Sequence, residues 1–97
     1  MSVPQNEIIY EDGFRKDVYD LPESVQEKLG SLIEILRKDP FDPRLHTKRL
    51  GPPLHVAFSF RIVRDYRVGF IFLESHIIKL LVADTRGNIY RRLRRKL

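Results

Sequence analysis

The chain has 97 residues, of which 42% are hydrophobic and 32% charged. That length suits one small domain with a single core, spanning residues 1–97. The chain has no cysteine, which excludes disulfides, zinc–thiolate sites and a cysteine nucleophile. The N-terminus lacks a basic segment followed by an apolar one, and no apolar run is long enough to cross a bilayer. We therefore expect a cytoplasmic protein that does not bind membranes.

The formal net charge of +5 is unevenly distributed along the chain. Residues 1–43 hold 5 Lys/Arg against 10 Asp/Glu, whereas residues 44–97 hold 13 Lys/Arg against 3 Asp/Glu. A basic excess confined to one segment favours a polyanionic partner, because cations that neutralise phosphates release counterions. A basic surface that serves only solubility is the alternative, and net charge alone does not exclude it. The segregation of charge favours nucleic acid.

The first half of the chain predicts a strand and two helices. Residues 8–10 are a short β-prone run, and residues 14–21 have apolar side chains at helical spacing. Pro22 ends that helix and suits the first turn of a longer one. The longer helix is predicted by an apolar stripe on one face, formed by Val25, Leu29, Leu32, Ile33 and Leu36. The pair Asp39-Pro40 closes it.

Residues 56–62 and 66–72 alternate in polarity, which is typical of half-buried strands. The polar break at 63–65 has the right length to join them as a hairpin. One face of this hairpin is apolar and faces a core. The other face carries Arg61 and Arg67.

The last third of the chain predicts another strand at residues 77–83, then a loop of turn formers at 84–88. The basic tail 89–97 is consistent with a short strand, a short helix or a frayed end. The order β-α-α-β-β-β therefore predicts an α+β fold. In this fold an N-terminal helical hairpin packs on a curved antiparallel β-sheet.

Several chemistries lack the residues that they need. The three histidines are spaced too irregularly for a metal site, and no acidic cluster accompanies them. The sequence contains no glycine-rich phosphate loop, nucleophile elbow or dinucleotide fingerprint. Asp65, Glu74 and Asp84 fall in predicted turns, so a carboxylate-based hydrolase is disfavoured. We expect no metal, no cofactor and no small-molecule ligand.

What remains is a set of cationic and aromatic residues near the hairpin and the C-terminus. A metal-free ribonuclease works with such residues: arginine holds the phosphoryl oxygens, and other groups move protons from the 2′-OH and to the leaving 5′-oxygen. Tyr90 or a histidine suits the proton transfers, and an aromatic ring also stacks on an unpaired base. The candidate residues are His46, Lys48, Arg49, Arg61, Arg67, Arg86, Tyr90 and Arg91.

Each candidate also has a purely structural interpretation. Arg61 could pair with Asp65 or Asp84, and Arg67 could lie on a solvated strand face. Lys48 and Arg49 could serve only solubility. Tyr90 could be an edge aromatic with its hydroxyl in water. We favour function for Arg61, because a charge at an inward-reading strand position is unusual.

The chain resembles the RelE/ParE superfamily of toxins from type II toxin–antitoxin systems. The resemblance rests on the order and spacing of LPESVQEKLGSLIEIL, DPFDPRLHTKRL, SFRIVRDYRVGFIF and TRGNIYRRL. It implies a helical hairpin on a curved sheet and a cognate antitoxin that neutralises the toxin. RelE-like members cleave mRNA in the ribosomal A site without metal. The resemblance therefore implies a ribosome-dependent endoribonuclease, or mRNA interferase, that inhibits translation.

The resemblance also implies roles for individual residues. Arg61 matches a sheet arginine that binds the scissile phosphate, and the basic loop with Lys48 and Arg49 precedes the hairpin. Tyr90 matches a C-terminal aromatic position. Arg86 stands where many relatives have a histidine proposed to be catalytic, and Asp84 stands where they have glycine; other RelE-like members use an arginine in this region.

We expect Arg61 and Arg86 to stabilise phosphorane charge, Tyr90 to orient or protonate, and residues 44–50 to grip RNA. Two other interpretations stay open. One is a ParE-like toxin that binds DNA gyrase without nuclease chemistry. The other is a catalytically inactive protein with the RelE fold that binds RNA or an antitoxin.

Overall fold

The computed structural model describes residues 5–97 as a five-stranded sheet with helices on both of its faces. No helix in that range is long and apolar enough to span a membrane. In chain order the elements are β1 (Glu7–Tyr10), α1 (Phe14–Tyr19), α2 (Glu23–Lys38), a 3-10 turn (Pro43–Leu45), β2 (Lys48–Arg49), β3 (Ala57–Val63), β4 (Tyr66–Glu74), β5 (Ile77–Thr85) and α3 (Arg86–Lys96). The predicted α+β class is confirmed.

The strand order across the sheet is β1-β5-β4-β3-β2. Strands β2, β3, β4 and β5 pair antiparallel, but β1 pairs parallel with β5. The prediction of a wholly antiparallel sheet is therefore wrong for β1. Helices α1 and α2 separate β1 from the other strands along the chain. Because no hairpin joins it to a neighbour, β1 can take the free edge of the last strand in the parallel direction.

The main core lies between α2 and one face of the sheet. The predicted apolar stripe of α2 is confirmed, since Val25, Leu29, Leu32 and Leu36 are buried and Ile33 is half-buried. These side chains meet the even-numbered residues of the β3–β4 hairpin, which stand on one face because strand side chains alternate. The buried residues of the hairpin on this face are Phe60, Ile62, Val68 and Phe70.

Helix α3 packs on the opposite face of the sheet and encloses a second, smaller core. Ile89 and Leu93 are fully buried against residues from the 50–57 segment and β5. Leu93 lies directly on Gly69, where an added Cβ would come within 2.8 Å of Leu93 Cδ1. Glycine in β4 therefore makes room for the helix.

The predicted loop at 84–88 is wrong. Asp84 and Thr85 extend β5, and α3 starts at Arg86, whose backbone N–H donates to the Asp65 carbonyl at 2.7 Å. Turn-forming residues are equally common at helix N-termini, and the burial of Ile89 and Leu93 selects a helix for the tail.

Candidate functional site

The face of the sheet that α3 partly covers carries a row of polar side chains. Arg61 on β3 lies directly opposite Arg67 on β4, and Arg67 lies opposite Asp84 on β5. Residues that face each other across strands project to the same side of the sheet. One row further along, Ser59 lies opposite Gly69. The sheet thus places two arginines, one serine and one aspartate on a single face.

Arg61 and Arg67 leave hydrogen-bond donors free on this face. Arg61 is exposed, and within residues 5–97 it makes no ion pair. Arg67 is half-buried, and its Nε is buried without a hydrogen-bond partner in that range, as is the hydroxyl of Ser59. Like charges opposite each other in a sheet are destabilising, and unpaired buried donors add to the cost. Of these groups, the exposed guanidinium of Arg61 is the one that an anion can reach directly.

Asp84 is the acid of this face, and both oxygens of its carboxylate accept hydrogen bonds. Oδ2 accepts a hydrogen bond from Arg92 Nη1 at 2.9 Å, while Oδ1 accepts from the Thr85 backbone at 2.6 Å and from Asn88 Nδ2 at 3.3 Å. Burial raises the pKa of Asp84, but these hydrogen bonds and the Arg92 charge outweigh it and hold the pKa below its usual value. Asp84 is therefore ionised at neutral pH and paired with Arg92.

The prediction that Asp65, Glu74 and Asp84 lie in turns is confirmed only for Asp65. Glu74 is the last residue of β4, and Asp84 lies within β5. Arg61 makes no ion pair with Asp65 or Asp84 among residues 5–97, so the pairing considered for it in the sequence is not formed. Across residues 5–97, no group of three or more His, Cys, Asp or Glu side chains could hold a metal ion.

Helix α3 carries three of the predicted site residues. Arg86 is the first residue of the helix and is exposed. Tyr90 is half-buried and packs against the smaller core beside Ile89. Arg91 is exposed, and its Nη2 donates to Asn88 Oδ1 at 3.1 Å. Because α3 lies on the polar face, the helix brings Arg86 and Tyr90 to the same side of the sheet as Arg61.

The basic segment before β3 is divided between the two faces. Lys48 lies opposite Ser59, so its side chain belongs to the polar face. Arg49 lies opposite Phe58 on the aromatic face, where its Cζ is 5.8 Å from the Phe58 ring centroid. Arg49 Nε also donates to the His55 carbonyl at 2.9 Å. The structure therefore does not bring Arg49 together with Arg61.

His46 lies off the sheet. It ends the 3-10 turn in a left-handed backbone conformation, with φ of 51°, and its side chain is exposed. The chain changes direction at this residue, two positions before β2 begins. His46 accordingly lies outside the strands that hold Arg61 and Arg67.

Two features of this face escaped the sequence interpretation. The alternation of the strand already puts Ser59 on the Arg61 face, but the sequence interpretation did not count it among the candidate residues. The Arg92–Asp84 pair had no such signal, because it depends on α3 lying across β5. Arg92 also pairs with Asp17, which is 75 residues away along the chain and accepts a hydrogen bond from Arg92 Nη2 at 2.8 Å.

Comparison with known proteins finds similarity at the level of structure. Neither a known family model nor a curated protein matches the chain. Among solved structures, it is similar to the toxin–antitoxin complex RelBE2 from Mycobacterium tuberculosis, with 24% identity and a TM-score of 0.69 over 87% of this chain and 100% of that one.

Two further solved structures share the fold. YafQ from E. coli strain BL21(DE3) has 18% identity and a TM-score of 0.72 over 89% of this chain and 99% of that one. The YoeB/ParE toxin from Agrobacterium tumefaciens has 16% identity and a TM-score of 0.71 over 81% of this chain and 96% of that one. The chain therefore has the fold of the RelE-like toxins.

Proposed function

We propose that this protein is the toxin of a toxin–antitoxin pair and that it is a metal-independent endoribonuclease acting on mRNA at the ribosome. The observation that carries the proposal is the pair Arg61 and Arg67, which lie opposite each other and make no ion pair within residues 5–97. Two unneutralised guanidinium groups on one sheet face suit a phosphodiester, because each offers a planar fork of N–H donors.

The reaction follows from the chemistry of RNA. The 2′-oxygen attacks the adjacent phosphorus, the bond from phosphorus to the 5′-oxygen breaks, and a 2′,3′-cyclic phosphate and a 5′-hydroxyl result. Negative charge develops on the non-bridging oxygens in the transition state. Arg61 and Arg67 stabilise that charge from the sheet, and Arg86 adds a third cation from the start of α3.

Proton transfer and RNA positioning fall to the remaining residues on this side. The Tyr90 hydroxyl orients the phosphate or transfers a proton, held in place because its ring packs against the smaller core. Lys48 contacts the RNA backbone beside Ser59, and Arg91 does so from the exposed side of α3. His46 and Arg49 contact RNA further from the phosphate, since neither shares the face of Arg61.

The proposed partner that restrains this activity is a cognate antitoxin. The structurally similar RelBE2 is itself a toxin–antitoxin complex. An antitoxin that covers the polar face would bury Arg61 and Arg67 against its own acidic groups and block access of RNA. The excess of basic residues after position 43 favours such an acidic partner.

Expression of the protein alone in cells, followed by mapping of mRNA 5′ ends, tests the nuclease. We expect growth arrest and new ends within translated frames. Arg61→Ala should remove them, because loss of one transition-state contact to phosphate typically lowers the rate by about 100-fold or more. Arg15→Ala is the matched control, since Arg15 is an exposed arginine on α1 that lines a cleft with residues of α2.

Other outcomes would contradict the proposal in distinct ways. Growth arrest with intact mRNA and an induced DNA-damage response would indicate a gyrase poison, as expected of a ParE-like toxin. Neither arrest nor new ends would indicate an inactive protein with the RelE fold. New ends that persist in Arg61→Ala would remove Arg61 from the site.

A further inference from the structure

Asp84 lies where it would be expected to pair with Arg67 and so prevent this arginine from binding an anion. It stands directly opposite Arg67 on the neighbouring strand, and such pairs have Cβ atoms about 4.5–5.5 Å apart. An aspartate at that distance would ordinarily pair with the arginine and neutralise it. Arg67 nevertheless has no ion pair within residues 5–97, and its Nε has no hydrogen-bond partner there.

The reason is that Arg92 draws the carboxylate of Asp84 away from Arg67. Arg92 Nη1 lies 2.9 Å from Asp84 Oδ2. Thr85 and Asn88 occupy the other oxygen. All the hydrogen-bond contacts of the carboxylate are therefore made with groups other than Arg67.

Arg92 is itself fixed from the far side by Asp17 of α1. Its Nη2 lies 2.8 Å from Asp17 Oδ1, and the Asp17 side chain is only 10% exposed. Asp17 Oδ2 accepts from the backbone N–H of Ala83 at 3.1 Å. Strand β1 ends opposite Leu80, so Asp17 takes the place of the missing strand at that edge of β5. Arg92 is thus held at the edge of the sheet by a rigid acceptor.

We propose that Arg92 is a positioning residue that sequesters Asp84 and so keeps Arg67 free to bind phosphate. This role rests on the proposed function, because it concerns the same polar face. Arg92 does not contact the RNA. It acts through Asp84, and its removal frees Asp84 to pair with Arg67 and to repel an incoming phosphate.

Four variants of the full-length chain separate this role from a structural one. They are Arg92→Gln, Asp84→Asn, the double variant and the control Arg94→Gln, which removes the same charge from an exposed position on α3. Binding of a fluorescein-labelled eight-nucleotide single-stranded RNA is measured by anisotropy at fixed salt concentration.

We expect Arg92→Gln to weaken RNA binding about tenfold, which is the effect of losing one charge-assisted contact to phosphate. Asp84→Asn should change the affinity less than about twofold, and the double variant should regain the affinity of Asp84→Asn. A purely structural ion pair predicts the opposite: both single variants weaken binding alike, and the double variant is no better. That result, or an equal loss in Arg94→Gln, would overturn the proposal.

A second measurement does not depend on RNA. The Nε–H resonance of Arg67 in a nitrogen-15 NMR spectrum should shift and exchange more slowly with water in Arg92→Gln, because Asp84 now accepts from it. In the double variant the chemical shift and the exchange rate of this resonance should return to their wild-type values. An unchanged resonance in Arg92→Gln would overturn the proposal even if the RNA data agreed.

The two proposals fail in different ways. If the wild-type chain and Arg61→Ala bind the RNA equally, the proposed nuclease site is wrong, whereas the Arg67 resonance still decides the role of Arg92. If Arg92→Gln does not fold, Arg92→Lys replaces it. A lysine retains the positive charge beside Asp84, so RNA affinity and the Arg67 resonance should stay near wild type. A loss as large as the tenfold effect in Arg92→Lys would contradict the proposal.

Discussion

The two faces of the sheet are formed by the same strands, but they differ in how well their buried side chains are satisfied. On the α2 face the hairpin buries aromatic and branched side chains, with Phe60 and Phe70 fully buried. On the α3 face the alternate residues are Ser59, Arg61 and Arg67, and two of their polar atoms are buried without partners. The first face is therefore covered by the main core, whereas the second combines the smaller core with polar groups that we propose bind a ligand.

The largest expected effect is on the α2 face. Phe60→Ala leaves a cavity in the main core, so we expect a loss of about 3–5 kcal/mol in the free energy of unfolding. Urea unfolding followed by circular dichroism measures it. Tyr19→Ala is the control, because that aromatic side chain is 82% exposed and its loss should cost less than about 1 kcal/mol. Equal losses in the two variants would mean that the α2 face is not the main source of stability.

An intermediate effect is expected where α3 meets the sheet. Gly69→Ala places a methyl group 2.8 Å from Leu93 Cδ1, closer than van der Waals contact, so Leu93 must move. We expect a loss of about 1–3 kcal/mol from overpacking, measured by the same unfolding experiment.

Leu93→Ala supplies the matched control for this contact. It removes the clash, so Gly69→Ala should cost little when it is introduced into Leu93→Ala. A full additional loss in that background would show that the glycine serves the backbone of β4 rather than the packing of α3.

Sequence patterns predicted the α2 face better than the α3 face, for a physical reason. The stripe of α2 and the alternation of the hairpin are local periodicities, so Leu29 and Phe60 could be assigned to the core without knowing what covers them. The same alternation placed Arg61 and Arg67 together. Alternation also puts Lys48 and Arg49 on opposite faces. This could not be predicted, because β2 has only two residues and so shows no periodicity in the sequence.

The rest of the α3 face depends on contacts between distant parts of the chain. Residues 84–88 are turn formers by composition, and only the burial of Ile89 and Leu93 makes the tail a helix. The partners of Arg92 lie on α1 and β5, and no local pattern connects them. The parallel pairing of β1 with β5 is equally non-local, because strand neighbours in a sheet are set by the whole topology.

The smallest expected effect is that of Ser59→Ala. It tests most directly whether the polar face lowers the free energy of unfolding. Ser59 is fully buried, and its hydroxyl has no partner within residues 5–97. Ser59→Ala removes an unpaired polar atom without changing the volume much, so the free energy of unfolding should stay the same or rise by up to about 1 kcal/mol. Most serine-to-alanine changes in a core would instead remove a hydrogen bond and destabilise.

Ser31→Ala provides the comparison for that measurement. Ser31 is exposed on α2 and its hydroxyl donates to the Lys28 carbonyl, so its replacement should change stability by less than about 0.5 kcal/mol. If Ser59→Ala instead destabilised by more than about 1 kcal/mol, the hydroxyl would be satisfied in solution and this face would not be built at the expense of stability. If Ser59→Ala stabilised the fold while RNA binding weakened, Ser59, like Arg61 and Arg67, would serve ligand binding rather than stability.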